Sequence, residues 1–175
     1  MKHFSVLLLF LISFSSLAAN YYVATTGNNS NAGGSTTPWA TLQYAASRVV
    51  AGDTVTVSNG TYSPFYITQS GTAQNRITFV SPNKLGAIIN GNVVNDGRSA
   101  GIHVTGNNIT IDGFDVVASG SPATGAGERG IRASGSSGNF LENVILRNNR
   151  VTGAGWVGIT TSFANNVVLE YKSTE

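Results

Sequence analysis

Beyond Gly52 the chain consists of short runs rich in Val, Ile, Phe and Leu, each bounded by Gly or Asn. Short β-branched and aromatic runs between turn-forming residues predict strands. The runs are Thr54 to Val57, Arg76 to Val80, Ala87 to Ile89, Ile102 to Val104, Ile109 to Ile111, Phe114 to Val117, Val144 to Leu146 and Val167 to Leu169. Because no helical spacing interrupts them, this part of the chain is predicted to be all-β.

The runs recur with a regular period. Gly101-Ile102 returns as Gly130-Ile131 (130 − 101 = 29) and as Gly158-Ile159 (158 − 130 = 28). Val144-Ile145-Leu146 returns as Val167-Val168-Leu169 (168 − 145 = 23). Asn-Asn pairs accompany the strands at 107–108, 148–149 and 165–166. A period in the range of roughly 20 to 50 residues is typical of stacked repeats, whose extra residues collect in turns, here in 119–128 and 134–138.

These repeats favour a right-handed parallel β-helix, a solenoid in which β-branched side chains stack inward from coil to coil. Asn suits its corners because it tolerates left-handed backbone angles and forms ladders between coils. A leucine-rich horseshoe fits less well, since it requires Leu at fixed places and a helical turn in each unit. A β-sandwich is the other alternative, but it does not explain the recurring Gly-Ile dipeptide.

The N-terminal third carries two further elements. Residues 1–19 have a basic start, an apolar run from Val6 to Ile12 and a small-residue end, which is typical of a secretory signal cleaved after Ala18 or Ala19. The alternative is an uncleaved N-terminal anchor. Apolar residues at helical spacing predict a helix from Thr41 to Val50, capped by Thr41. This helix would cover the open end of the first coil. The predicted organisation is a signal (1–19), a strand, loop and capping helix (20–53), and β-helix coils (54–175).

Composition narrows the function classes. The chain of 175 residues has no Cys and nearly balanced charge, with Lys+Arg 10 and Asp+Glu 8. Absence of Cys predicts an exported fold held by its core and backbone hydrogen bonds rather than by disulfides. Sparse charge excludes a strong nucleic-acid-binding surface. With the signal removed no segment is long enough to span a membrane, so a secreted or periplasmic protein is expected.

The first third of the chain resembles the N-terminal cap and first coil of pectate-lyase-like right-handed β-helix proteins. The matching segments are Tyr21-Tyr22-Val23, Gly27-Asn28-Asn29-Ser30-Asn31, Pro38-Trp39-Ala40-Thr41-Leu42-Gln43-Tyr44-Ala45, Ala51-Gly52-Asp53-Thr54-Val55-Thr56-Val57 and Asn59-Gly60-Thr61-Tyr62. The group includes secreted lyases of pectate, alginate and chondroitin. The resemblance implies β-elimination on acidic polysaccharides, with a cation such as Ca²⁺ neutralising the sugar carboxylate and a Lys or Arg removing the adjacent proton.

Three acids are candidates for that cation site. Asp112 and Asp115 would share a corner, with Glu142 one coil later. The alternative is an ordinary polar corner that faces water. Two other acids are read differently: Asp53 as a turn or capping residue, and Asp96 as part of a turn.

The candidate substrate-binding residues are Arg129 and Arg132, which flank Gly130-Ile131, and Trp156 in the following coil. A guanidinium beside an aromatic ring could hold an acidic sugar through charge and stacking. The alternative is surface and corner packing. His103 lies between inward-pointing Ile102 and Val104, so alternation predicts an ordinary surface histidine.

No catalytic residue is assigned. The segment Gly153–Gly158, where related lyases carry acids, has no carboxylate, and the sequence ends directly after the Val167 to Leu169 strand. We therefore expect a truncated β-helix, the N-terminal scaffold of a polysaccharide lyase without a catalytic site of its own. The alternative is a noncatalytic extracellular β-helix that binds carbohydrate or acts as an adhesin.

Overall fold

The computed structural model describes residues 17–95, 97–118, 129–154 and 157–170. The elements in chain order are β1 (Asn20–Val23), α1 (Leu42–Ala46), β2 (Thr54–Val57), β3 (Gly60–Tyr62), β4 (Phe65–Ile67), β5 (Ile77–Val80), β6 (Ala87–Asn90), β7 (Val93–Asn95), β8 (Arg98–Val104), β9 (Ile109–Asp112), β10 (Phe114–Val117), β11 (Arg129–Ser134), β12 (Leu141–Glu142), β13 (Ile145–Arg147), β14 (Arg150–Thr152), β15 (Val157–Ser162), β16 (Ala164–Asn165) and β17 (Val168–Glu170).

The strands form parallel sheets in which each strand pairs with its counterpart one coil away. Sheet A has the order β1-β2-β5-β9-β13-β17, sheet B has β14-β10-β6-β3, and sheet C has β15-β11-β8-β4. β12 and β16 form a further short parallel pair. Among the described strands, the one antiparallel pair is the hairpin of β7 and β8. This stacking confirms the predicted parallel β-helix and excludes the antiparallel β-sandwich.

The core follows the repeats identified in the sequence. Ile131 of β11 pairs with both Ile102 and Ile159, so the recurring Gly-Ile dipeptide is one vertical stack. Leu146 pairs with Leu169 in the same way. The interior is close-packed, because Phe65, Phe79 and Phe114 are fully buried and the Phe65 ring contacts the other two.

In the first two copies of the Gly-Ile repeat, the position before the isoleucine has room only for glycine. A Cβ on Gly101 would lie 2.5 Å from Cγ1 of Val116, inside the van der Waals contact distance. A Cβ on Gly130 would collide in the same way with Cγ1 of Val151. The glycine therefore lets sheet C lie close to the valines of sheet B.

Asparagines occupy the corners, as predicted. Asn108, Asn143 and Asn166 have φ angles of 55, 55 and 53° and follow one another at the turn that enters sheet A. Their side chains form a ladder, with Asn143 Nδ2 donating to Asn108 Oδ1 at 3.2 Å and Asn166 Nδ2 donating to Asn143 Oδ1 at 3.3 Å. Asn148 and Asn149 belong to a different corner, between sheets A and B.

The helix is shorter than predicted. It begins after Thr41, whose side chain accepts from the Tyr44 amide, and ends at Ala46 rather than Val50. The buried stripe is as expected, since Leu42, Ala45, Ala46 and Val49 all join the core. Val50 is 48% exposed. The early end fits the poor helix propensity of two successive valines.

Candidate functional site

An open groove of about 340 Å³ lies beside sheet C, where its strands β4, β8 and β11 end and the chain turns towards sheet A. It therefore extends over three successive coils. Its lining consists of Thr68, Ser70, Thr105, Asn107, Ser134, Gly135, Ser136, Asn139, Phe140 and Leu141. These residues supply hydroxyl and amide groups and one aromatic ring, a combination suited to a ligand rich in hydroxyl groups.

Coil-to-coil hydrogen bonds hold the groove in shape. The Thr105 hydroxyl donates to the Ile67 carbonyl at 3.2 Å, and the Ser70 hydroxyl accepts from the Asn107 amide at 2.9 Å. At its upper end Ser136 and Asn139 exchange two backbone hydrogen bonds of 2.9 and 3.0 Å. This tight hairpin places Phe140 at the mouth of the groove.

Two aromatic rings stand exposed at this edge. Phe140 is 48% exposed and Phe163 45% exposed, and their ring centroids lie 6.1 Å apart in an edge-to-face arrangement. They occupy equivalent positions in neighbouring coils, because the following residues Leu141 and Ala164 are paired. Sequence reasoning missed this pair, although its offset (163 − 140 = 23) equals that of the Val144 and Val167 repeat.

A buried polar cluster lies behind the groove. Ser134 lines the groove, its Oγ accepts from Arg132 Nε at 2.9 Å, and His103 Nε2 lies 3.0 Å from the same oxygen. His103 and Arg132 are partners across β8 and β11 and are 0% and 2% exposed. The prediction that His103 is a surface residue is wrong: alternation along a strand gives the direction of a side chain, but not whether other parts of the molecule cover it.

The predicted substrate-binding residues therefore differ in their burial and in their position relative to the groove. Arg132 is buried and does not line the groove, but its Nε donates to the hydroxyl of Ser134, which does. Arg129 begins β11 and is half-buried. Trp156 lies outside the described residues, as does Asp96.

The three candidate metal ligands are not brought together. Asp112 accepts hydrogen bonds from Lys84 Nζ at 3.2 Å, Arg147 Nε at 2.9 Å and Asn148 Nδ2 at 2.7 Å. Burial by itself raises the pKa of Asp112, but the bonds from Asn148, Lys84 and Arg147 outweigh burial and lower it. The acid is therefore held ionised by side chains of the corner.

Asp115 and Glu142 likewise accept hydrogen bonds from side chains of the next coil. Arg150 donates to both oxygens of Asp115, from Nε at 2.9 Å and from a terminal nitrogen at 2.6 Å, and these bonds raise the pKa of Arg150. Glu142 accepts from Asn165 at 2.8 Å. Since Ca²⁺ needs six to eight oxygen ligands, acids already bound by Arg, Lys and Asn do not fit a calcium site. In the part of the chain that the structure describes, no three His, Cys, Asp or Glu side chains are grouped to hold a metal ion.

Arg76 links successive coils by hydrogen bonds. Arg76 donates to the Ile109 carbonyl at 2.7 Å, to the Asn143 carbonyl at 2.5 Å and to the Thr110 hydroxyl at 3.1 Å. Burial, together with the nearby charge of Arg147, lowers the pKa of Arg76. This guanidinium is thus committed to backbone and hydroxyl oxygens of the fold rather than to a ligand.

A family model described as Pel9A-like, right handed beta helix region, matches residues 21–175. The chain belongs to this family. The match covers all the described coils and agrees with the right-handed parallel β-helix predicted from the repeats. Among curated proteins, the comparison gave no match to this Pel9A-like chain.

Solved structures show the same fold. The crystal structure of a GH136 lacto-N-biosidase from Eubacterium ramulus superposes with a TM-score of 0.69 at 15% identity, over 89% of this chain and 35% of that one. A rhamnogalacturonan lyase gives 0.55 at 23% identity, over 84% and 51%. Pectate lyase Pel9A gives 0.51 at 21% identity, over 78% and 40%. The Pel9A-like chain therefore spans about half or less of the length of these structures.

The likeness to these structures bears on fold alone, because each identity is below 25%. No helix within the described residues has the length and apolar character needed to cross a bilayer. The groove of the Pel9A-like chain must consequently be judged by its own residues.

Proposed function

We propose that this chain is an exported β-helix that binds a polysaccharide along the groove beside sheet C, and that its described coils position the glycan rather than cleave it. The observation that carries this proposal is the pair of exposed rings in edge-to-face contact on neighbouring coils, Phe140 at the groove and Phe163 one coil beyond it. Exposed aromatic side chains next to a polar cleft are typical of recognition surfaces.

The geometry supports a chain-like ligand. Coils of a β-helix repeat every 4.8 Å or so, which is close to the length of one pyranose ring in a polysaccharide. A glycan that runs along the helix axis would place one sugar over each coil, with its apolar face on Phe140 or Phe163. The hydroxyl and amide groups of Thr68, Thr105 and Asn139 would then face the sugar hydroxyls.

An acidic polysaccharide is the favoured class. The guanidinium of the buried Arg132 donates to the hydroxyl of Ser134, which lines the groove, and so lies close to this part of it. Two of the similar structures are named as lyases of pectate and rhamnogalacturonan, and the family resemblance implies the same class of substrate.

The proposal that these coils do not cleave the glycan rests on where the charged side chains lie. β-Elimination requires a base and a cation or acid that converge on the sugar carboxylate. No acidic or basic side chain is among the described residues that line the groove. Asp112 and Asp115 are instead paired with arginines at another corner.

Calorimetric titration of the exported protein with oligogalacturonate, and with a neutral cello-oligosaccharide, tests the binding. We expect Phe140→Ala and Phe163→Ala to weaken oligogalacturonate binding about tenfold each, through loss of stacking area. Val94→Ala is the matched control, because Val94 is 68% exposed on the β7–β8 hairpin and does not line the groove. Equal affinity of all three variants would contradict the proposed site, and tighter binding of the neutral sugar would contradict the acidic class.

Ultraviolet absorbance of unsaturated uronides tests the noncatalytic part. We expect no signal from this chain on pectate, alginate or chondroitin, with Ca²⁺ or with a chelator. Chelator-sensitive product would show that the chain is a lyase and that a cation site lies outside the pairs described above.

A further inference from the structure

The backbone of Ala19 is built into the fold through a buried carboxylate. Asp53 is 1% exposed, and its Oδ1 accepts from the Ala19 nitrogen at 3.0 Å while its Oδ2 accepts from the Val50 amide at 2.8 Å. The Ala19 carbonyl in turn accepts from the Thr54 amide at 2.9 Å. Ala19 thus satisfies two polar groups of the segment that enters β2.

The two described residues before it, Leu17 and Ala18, make no comparable contribution. Ala18 is exposed, and Leu17 is 89% exposed although it is a large apolar side chain. Among the described residues from Leu17 onward, hydrogen bonding to the fold therefore begins at Ala19.

We infer that the mature protein begins at Ala19, and that its new terminal ammonium forms a buried ion pair with Asp53. The inference rests on the export that forms part of the proposed function. Hydrolysis by the signal peptidase of the exporting cell adds water across the Ala18–Ala19 peptide bond. Ala18 leaves with the new carboxylate, and the freed amine of Ala19 takes up a proton at neutral pH.

The sequence supports the same bond independently. Cleavage after Ala18 uses Ser16 and Ala18 as the two small residues of a small-x-small site. Cleavage after Ala19 would put Leu17 at the position where a small residue is preferred.

The two possible mature chains, beginning at Ala19 or at Asn20, differ in the buried polar groups that they satisfy. With Ala19 at the terminus, the donor to the Asp53 carboxylate is an ammonium instead of a neutral amide, so the hydrogen bond gains the attraction between two opposite charges. With Asn20 at the terminus, the buried Asp53 Oδ1 loses its donor and the Thr54 amide loses its acceptor. Unpaired buried polar groups of this kind are costly.

Intact-mass analysis of the full chain exported from a bacterial host gives the first test. We expect a protein whose mass corresponds to residues 19–175. A product beginning at Asn20 would overturn the inferred site while leaving export intact, and an uncleaved, cell-associated chain would overturn both. Cleavage at Ala19 without glycan binding would uphold the inference and count against the proposed function.

The pH dependence of unfolding gives the second test. An α-amino group has a pKa of about 7.7 to 8.0 in an unfolded chain, and a neighbouring carboxylate raises it in the fold. The ion pair therefore contributes fully below about pH 7.7 and is lost as pH rises through the higher folded-state pKa. The melting temperature of the Ala19 form should fall by about 4 °C more between about pH 7 and about pH 10 than that of its controls.

Two controls keep this test decisive. A chain prepared to begin at Ala18 keeps every side chain but moves the ammonium one residue away from Asp53. Asp53→Asn keeps the terminus and removes the negative charge. Identical pH profiles for the Ala19 and Ala18 forms would overturn the ion pair even if Asp53→Asn fails to fold.

Discussion

The register between coils decides which side chains Asp112 and Asp115 contact. Each lies beside an arginine of the next coil, since β9 pairs Asp112 with Arg147 and β10 pairs Asp115 with Arg150. The sequence contains this relation as two equal offsets (147 − 112 = 35 and 150 − 115 = 35). We interpreted the acids as a metal site or a water-facing corner because their partners become neighbours only when that register is known.

Asp112→Asn should destabilise the protein by about 1 to 2 kcal/mol, because it removes the negative charge to which Lys84 and Arg147 bind. Denaturant unfolding at neutral pH measures the change. Glu142→Gln is the matched acid-to-amide control, because its amide oxygen can still accept from Asn165. An equal loss in both variants would contradict a specific role for Asp112.

The same corner predicts a response to acid. The folded-state pKa of Asp112 is lowered, so its contribution is present above the unfolded-state pKa of about 3.9 and is lost as pH falls through the lower folded-state value. Between about pH 6 and about pH 3 the wild type should therefore lose more unfolding free energy than Asp112→Asn. Parallel losses would show that other carboxylates dominate acid unfolding.

Gly130→Ala should destabilise the fold by about 1 to 3 kcal/mol, because the added Cβ meets Val151 and lies 2.6 Å from the Gly158 carbonyl oxygen. Gly158→Ala is a matched control in the next coil, where the Cβ would meet Val151 at 3.7 Å, an ordinary contact. Its effect should stay within about 0.5 kcal/mol. Thermal unfolding of both variants checks the difference, and a harmless Gly130→Ala would contradict the packing explanation of the repeat.

At the scale of elements, strands with a clear apolar run could be predicted and very short ones could not. β2 and β10 were predicted with the bounds that the structure gives. β12 and β16 have two residues each and carry no period of their own. They exist because neighbouring coils hold them in register, which is information that a single segment does not contain.

Helix α1 covers part of an exposed sheet edge. β4 is the end strand of sheet C, and the Gln43 side chain accepts from the Tyr66 amide at 3.0 Å and donates to the Tyr66 carbonyl at 3.3 Å. The side-chain amide thus takes the place of a neighbouring strand at this residue, which protects the edge from further pairing. A general capping role for the helix is a prediction that this contact supports.

Gln43→Ala should cost about 1 to 2 kcal/mol, because both backbone groups of Tyr66 lose their partner at a partly buried site. Hydrogen exchange should show faster exchange of the Tyr66 amide in this variant. Gln69→Ala serves as the control, because Gln69 is also a glutamine near the helix but its bond to the Ser47 carbonyl is long, at 3.5 Å, and exposed. If the Tyr66 amide exchanges equally in both, the edge contact is not protective.

For the whole molecule, the repeats were sufficient to predict the fold, since the Gly-Ile and Val-Ile-Leu series are strands paired in register between successive coils. The site was not predictable to the same extent. Phe140 reaches the groove because of a hairpin at residues 136–139, and Ser134 joins His103 because two strands are in register. The first depends on a tight local turn and the second on a contact between segments about one coil apart, and composition and alternation reveal neither.

The central functional claim is that a polysaccharide binds beside the paired rings of Phe140 and Phe163. Chemical-shift mapping of the protein during titration with oligogalacturonate tests it most directly. The account predicts saturable shifts of the Phe140 and Phe163 ring signals and of the Ser136 and Asn139 amides, with the Val94 amide unchanged. Absence of shifts at saturating sugar, or shifts confined to a surface away from the groove, would contradict it.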